Sequence, residues 1–263
     1  MAEVLEKGHF EVDGKKLEYR MIGPAPALAP TLVFLHEGLG CAAMWRDFPD
    51  RLSRATGCGA LVYSRAGYGN SDPADLPRPK TYHDDEALRV LPQVLKHAGV
   101  KRAVLIGHSD GATIALIHAA AAPGDCQVVG VVAEAPHVFN EEICLSAIRR
   151  AVRDWQDGDL RQKLERWHGA NAECAFHGWS DTWQRPEFWT WNVEHYLPDI
   201  TCPVFVIQGE EDFYGSDRQV EAIARQVSGP CETLILPYCG HTPHHEHAGP
   251  ILETMARFVR AIL

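Results

Sequence analysis

Residues 107–111 read GHSDG, and two adjacent side chains in that stretch each carry an oxygen able to attack: the Ser109 hydroxyl and the Asp110 carboxylate. A serine implies acyl transfer through an acyl-enzyme, whereas an aspartate implies the alkyl transfer that opens epoxides or displaces halide. Directly before the stretch stands the apolar run AVLI, of strand length; directly after it stands ATIALIHAAAA, which reads as a buried helix. A G-x-S-x-G between a strand and a helix predicts a sharp turn that exposes its central side chain above a sheet, with small residues needed two positions away on either side. With Ser109 central those positions hold Gly107 and Gly111; with Asp110 central they would hold His108 and Ala112, placing an imidazole where crowding is worst. The spacing selects Ser109.

Outward from this turn, short apolar runs alternate with amphipathic ones. HFEVDGKKLEYRMIG predicts two strands about an Asp-Gly turn. TLVFLHE, ALVYS, AVLIG, VVGVVAEAP, PVFVIQG and TLILP are strand-length runs of the kind buried on both faces. MWRDFPDRLSRA, YHDDEALRVLPQVLKHA, ATIALIHAAAA, SDRQVEAIARQV and PILETMARFVRAIL are helical candidates. The alternation predicts an α/β fold, a mostly parallel eight-stranded sheet with helices on both faces. One segment breaks it: residues 138–200 contain no buried-strand run, and SAIRRAVRDWQ, DLRQKLERWHG and GWSDTWQRPEFWTWNVEHYL predict a helical lid inserted after the sixth strand. The expected organisation is a core of residues 1–137 and 201–263 with a lid over 138–200.

A serine hydroxyl needs a base to take its proton and an acid to orient that base. PVFVIQG leads into Glu210, Glu211 and Asp212, and TLILP is followed by Tyr238, Cys239, Gly240 and His241, so acid and base each follow a strand, in the order serine, acid, histidine. Asp212 is preferred over Glu210, Glu211 or Asp217 because its spacing from Gly209 clears the turn. The oxyanion of acyl transfer needs amide donors. One is expected from Asp110, at a helix N-terminus, and the other from Gly38 in HEGLG, where glycine permits close approach. Two acidic side chains, Glu37 and Asp110, then flank a site that must stabilise negative charge; both are expected to turn away, with Arg65 of SRAGYGNSD as a partner.

Other features narrow the class. A formal charge of -10 argues against a nucleic-acid partner, and no stretch is long and apolar enough to cross a bilayer, so a cytoplasmic location is expected. The eight cysteines are scattered without a CxxC pair and read as reduced thiols. In CGHTPHHEH neither H-E-x-x-H nor H-x-x-E-H occurs, so no metal is expected. The G-x-G of SRAGYGNSD lacks a P-loop lysine and reads as a tight loop, and no cofactor is expected. The segment 138–200 holds six of the seven tryptophans; most should pack the lid, with Trp183 and Trp191 as candidates to line a pocket beside Glu37, His137 and His244. Arg149, Arg150 and Arg153 read as a solvated helix face.

Taken together, the HEG loop, SRAGYGNSD, GHSDG, Ala135-Pro136, the Gly209 to Asp212 spacing and Gly240-His241 resemble the α/β-hydrolase superfamily from about Thr31 onward. LHEGLG, APHVF, IQGEEDFYG and CGHTPH look like a subgroup of lidded bacterial hydrolases. Glu37 departs from the family's usual glycine, and Asp110 from its usual small or apolar residue. The resemblance implies a serine hydrolase of a small, partly apolar ester or thioester, with Ser109, His241 and Asp212 as triad. A carbon-carbon bond hydrolase, a receptor without activity and an aspartate-nucleophile enzyme are the alternatives. A small-molecule substrate is the expected partner, with a homodimer allowed and neither nucleic acid nor membrane.

Overall fold

A computed structural model describes residues 4–263. Its elements in chain order are β1 (Val4–Val12), β2 (Lys15–Ile22), β3 (Thr31–Leu35), α1 (Phe48–Thr56), β4 (Gly59–Tyr63), α2 (Tyr82–Asp85), α3 (Leu91–His97), β5 (Arg102–His108), α4 (Asp110–Ala121) and β6 (Gln127–Glu134). After these come α5 (Glu142–Asp157), α6 (Leu160–His168), α7 (Ala172–Gln184), β7 (Val204–Gly209), α8 (Asp217–Gln226), β8 (Cys231–Leu236), α9 (Pro243–Glu246) and α10 (Ala248–Ile262). The strands form one sheet in the order β1-β2-β4-β3-β5-β6-β7-β8. β1 pairs antiparallel with β2 and β2 with β4; every later pairing is parallel.

The strand period of two divides the core. On β5, Val104 and Ile106 join Leu52 of α1 and Met255 and Phe258 of α10 on one face, while Ala103 and Leu105 join α3, α4 and α8 on the other. Every residue of β3 and β4 is buried, as continuous apolar runs require of a sheet covered on both sides. The predicted hairpin turn places Asp13 at φ 51 and Gly14 at φ 73, the left-handed pair that matches strand twist.

Two predicted helices are broken. MWRDFPDRLSRA divides at Arg46, φ 51, into a 3-10 turn (Ala42–Trp45) and α1, whose Pro49 sits in its first turn. YHDDEALRVLPQVLKHA runs from α2 to α3 through a π-helical segment, Glu86–Val90. Pro92 supplies the reason: its ring crowds the carbonyl four residues earlier and it donates no amide hydrogen, so the ladder before it widens. Between β6 and β7, the stretch predicted to be helical through Leu197 ends its α-helix at Gln184, before Pro186, and continues in 3-10 turns (Pro186–Phe188 and Glu194–Asp199). Among the described residues no helix is long and apolar enough to cross a membrane.

The turn between β5 and α4 is set by glycine. Ser109 stands at φ 53, ψ -117. A Cβ on Gly111 would lie 1.9 Å from the Leu35 carbonyl oxygen, and one on Gly107 would lie 2.3 Å from the Gly111 carbonyl oxygen. Both obstacles are backbone and cannot rotate aside. Gly111→Ala is therefore expected to destabilise the fold by about 3 kcal/mol or more, lowering Tm by roughly 6–12 °C in thermal denaturation; an unchanged Tm would contradict this packing.

Candidate active site

Ser109 opens a cavity of about 70 Å³ at the carboxyl ends of the parallel strands, shared with His241, Gly38, Glu37, His137 and, from the helical insertion, Cys144, Trp179 and Trp183. The Ser109 amide donates to the Glu134 carbonyl of neighbouring β6 at 2.8 Å, which fixes the turn against the sheet. His241 donates from Nδ1 to Asp212 Oδ2 at 2.7 Å. Asp212 is buried and also accepts from Gln208 Nε2 and from the Tyr214 amide, both at 2.8 Å. Burial works against its ionisation, but His241 and the Tyr214 amide hold its carboxyl below the ordinary carboxylate range.

Gly38 and Asp110 line the same cavity as Ser109, and the partners of the preceding carbonyls orient their amides. In a trans peptide the N–H points opposite to the preceding carbonyl. The Glu37 carbonyl is gripped by Arg65 Nη2 at 3.0 Å and by the His36 ring at 2.7 Å, so the Gly38 N–H is directed the other way, on the side where Gly38 lines the cavity. The Ser109 carbonyl accepts from Ala112 and Thr113 inside α4, so the Asp110 N–H points out of the helix end. Trp179 closes over Gly38: a Cβ there would lie 2.3 Å from Trp179 Cδ1.

Arg65 thus spends its guanidinium on the carbonyls of His36 and Glu37 rather than on the acidic side chains, which corrects the partner expected from the sequence. Asp110 is buried, accepts from the Tyr82 hydroxyl at 2.7 Å and lies 3.5 Å from His83 Nε2; Tyr82 in turn accepts from Trp183 Nε1 at 2.9 Å. Burial would push the Asp110 carboxyl up, yet His83, Arg65 and Tyr82 hold it well below the usual range. Glu37 turns back over Gly40, with its Oε2 3.4 Å from His108 Nδ1. Burial opposes charge on both partners, but each stabilises the other's ion: the Glu37 carboxyl is held low and the His108 imidazole is raised to about 9. His108 Nε2 donates to the His241 carbonyl at 2.7 Å, so one ring joins the HEGLG loop to the histidine loop.

His137 lines the cavity, and burial, reinforced by His241, lowers its imidazole to about 4, leaving it neutral. His244 and Trp191 are not among the cavity-lining residues. His244 donates to Glu134 from its amide at 2.6 Å and pairs with it through Nδ1 at 2.8 Å, against the Trp45 ring. Trp191 packs behind Trp183, ring centroids 5.2 Å apart. The remaining histidines of CGHTPHHEH go separate ways, His245 to the Met44 carbonyl and His247 to that of Tyr238. SRAGYGNSD meets the insertion: His168 accepts from the Gly69 amide at 3.0 Å, and Asn171 donates to the Ser71 carbonyl at 2.6 Å. The eight cysteines are free thiols. Cys144, Trp179 and Tyr214 enter the site without any sequence signal that separates them from ordinary packing residues.

Residues 32–254 match the Alpha/beta hydrolase family, and the chain belongs to it. The mouse (Mus musculus) protein Serine hydrolase BPHL is 30% identical over 209 residues, which cover 76% of this chain and 69% of that protein. Its human counterpart is 28% identical over 187 residues, 70% of this chain and 63% of that protein. Among solved structures, an esterase from Exiguobacterium antarcticum superposes with a TM-score of 0.77 at 18% identity, covering 97% of this chain and all of that one.

The charged His108 supports a pH prediction. Its value in the fold, about 9, lies above the ordinary 6.5, so its pairing stabilises fully below pH 6.5 and is lost as pH rises through about 9. Wild-type protein should lose up to about 3 kcal/mol of stability across that interval relative to a His108→Gln variant. Parallel Tm curves for the two proteins between pH 6 and 10 would contradict the charged pair.

Proposed function

We propose that the chain is a serine hydrolase acting on esters or thioesters of short acyl groups, in the cytoplasm and without a metal or cofactor. Ser109 attacks the substrate carbonyl, His241 takes its proton and returns it to the leaving group, and Asp212 keeps His241 in the tautomer that presents Nε2. The Gly38 and Asp110 amides receive the oxyanion. The observation that carries this reading is the Nδ1 to Asp212 bond of 2.7 Å on a histidine that shares its cavity with a serine held at positive φ. The matched relatives named as serine hydrolases support the same chemistry.

Cavity size supports a short acyl group. At about 10–15 Å³ for a water-sized group, some 70 Å³ admits roughly five such groups. Its walls are indole rings, Tyr214, Leu39 and the Cys144 thiol, which suit an apolar chain; neutral His137 offers a hydrogen bond. This volume is small for ring-fission substrates of carbon-carbon hydrolases, and it favours the ester and thioester reading. The segment 138–200 acts in this reading as a lid, with Trp179 and Trp183 closing the acyl site.

Two measurements test the proposal. A fluorophosphonate probe should label wild-type protein and leave Ser109→Ala unlabelled, and kcat on an aryl acetate should fall about 10³-fold or more in that variant. Persistent labelling of the variant would overturn the nucleophile. Across aryl esters from acetyl to octanoyl, kcat/KM should peak between acetyl and butyryl and fall at least tenfold by octanoyl; a rise toward octanoyl would overturn the acyl-size assignment.

A further inference from the structure

A second cavity, about 270 Å³, lies between the β1–β2 hairpin, the loop after β4 and the α2 to α3 turn, and shares no lining residue with the cavity at Ser109. Its wall contains Glu86, the first residue of the π-helical segment, which is 7% exposed. Among the described residues no side chain or amide donates to the Glu86 carboxylate, and its Oε2 is sealed from solvent without a partner. A buried carboxylate is held in proteins by donors or counter-ions, and an unpaired one costs several kcal/mol. Pro92 accounts for the widened helix turn, but not for an acid placed inside it. Burial pushes the Glu86 carboxyl above its ordinary range, against the pull of Arg65, Arg78 and Arg89.

Arg65 and Arg89 are engaged elsewhere, and Arg78 in part, its Nε lying buried without a partner. Arg89 pairs with Asp13 and Lys15 with Asp75, both at the cavity rim. Arg65 holds the carbonyls of His36 and Glu37, and Arg78 that of Ala66, with its guanidinium over the Tyr68 and Tyr82 rings. The lining residues carry one more acid than base, and Val12, Leu17 and Val90 supply an apolar wall. We propose that this cavity binds a small organic ammonium ion, whose N–H groups donate to Oε1 of Glu86, the oxygen that is not sealed, and whose alkyl or aryl body packs on that wall. Tyr82 forms part of the same lining, while its hydroxyl holds Asp110 and Trp183 at the serine site, so the two cavities meet across one phenol ring.

Isothermal calorimetry with n-butylamine and benzylamine, and with benzyl alcohol as the uncharged control, tests the site directly and does not depend on Ser109 chemistry. Wild-type protein should bind both amines saturably and the alcohol at least tenfold more weakly. Glu86→Gln, which keeps the shape and removes the charge, should weaken amine binding at least tenfold while Tm is held or raised. Val90→Trp, which fills the cavity, should weaken it similarly. Amine binding undiminished in both folded variants, alcohol bound as tightly as amine, or no saturable binding to folded wild type would each overturn the proposal.

Discussion

Nothing larger than hydrogen fits on the Cα of Gly111, because the carbonyl oxygen at the end of β3 occupies the place where a Cβ would stand, 1.9 Å away. The His36 carbonyl lies 2.8 Å from the same point. The helix bearing the serine is thus seated on the first peptides of the HEGLG loop, and the two parts of the candidate site are set by backbone contact between neighbouring strands. Side chains then refine what the backbone has fixed. Arg65 and His36 hold the Glu37 carbonyl, and that grip orients the next amide. The placement of Ser109 beside the amides proposed to receive the oxyanion follows from one close approach.

That approach brings two carboxylates close to a site proposed to gather negative charge. At an effective dielectric near 20, like charges 4 Å apart repel by about 4 kcal/mol, comparable to the 3–4 kcal/mol that one oxyanion donor supplies. An uncompensated acid would therefore cancel a donor. Each acid is matched with a histidine: Glu37 with His108 at 3.4 Å and Asp110 with His83 at 3.5 Å. Each of these pairs is also tied to a second element. His108 also holds the His241 carbonyl, and Asp110, through Tyr82, holds Trp183 of the insertion. The acidic residue beside the serine is thus the anchor that connects the elbow to the helices above it.

The middle of the sheet was legible because strands such as β3, β4 and β7 are buried on both faces and appear as unbroken apolar runs, and the elbow because its glycines answer to a local steric demand. β8, expected from TLILP to be buried on both faces, is instead half-exposed because it is the last strand of the sheet, with a neighbour on one side only. Asp212 and His241 were legible because each follows a strand whose end the sheet brings to the same edge. The histidine partners were not. His83 and Asp110, Glu134 and His244, and Glu37 and His108 are separated by 27 to 110 positions, and no periodicity in a single chain marks such pairs. The tryptophans show the limit most clearly: Trp183 and Trp191 lie on one short segment, yet Trp183 faces the cavity and Trp191 stands behind it, because the helix ends at Gln184 and the chain turns at Pro186.

This division has a consequence for selectivity. The serine, His241, Asp212 and the two amides sit on strand ends and on a helix start, where geometry is set by the sheet. The outer walls of the cavity come instead from α5 and α7 and from Tyr214, held down by individual bonds such as Trp183 to Tyr82, His168 to Gly69 and Asn171 to Ser71. A change on α7 that leaves those tethers intact alters the shape of the cavity without touching the residues proposed to carry the reaction. Trp179, packed over Gly38, bears on both, since any movement of its indole changes cavity room and access to the Gly38 amide together. Under the proposed mechanism, acyl-chain preference and oxyanion stabilisation are therefore coupled through that one side chain, whereas Trp183 adjusts acyl room alone as long as its bond to Tyr82 holds.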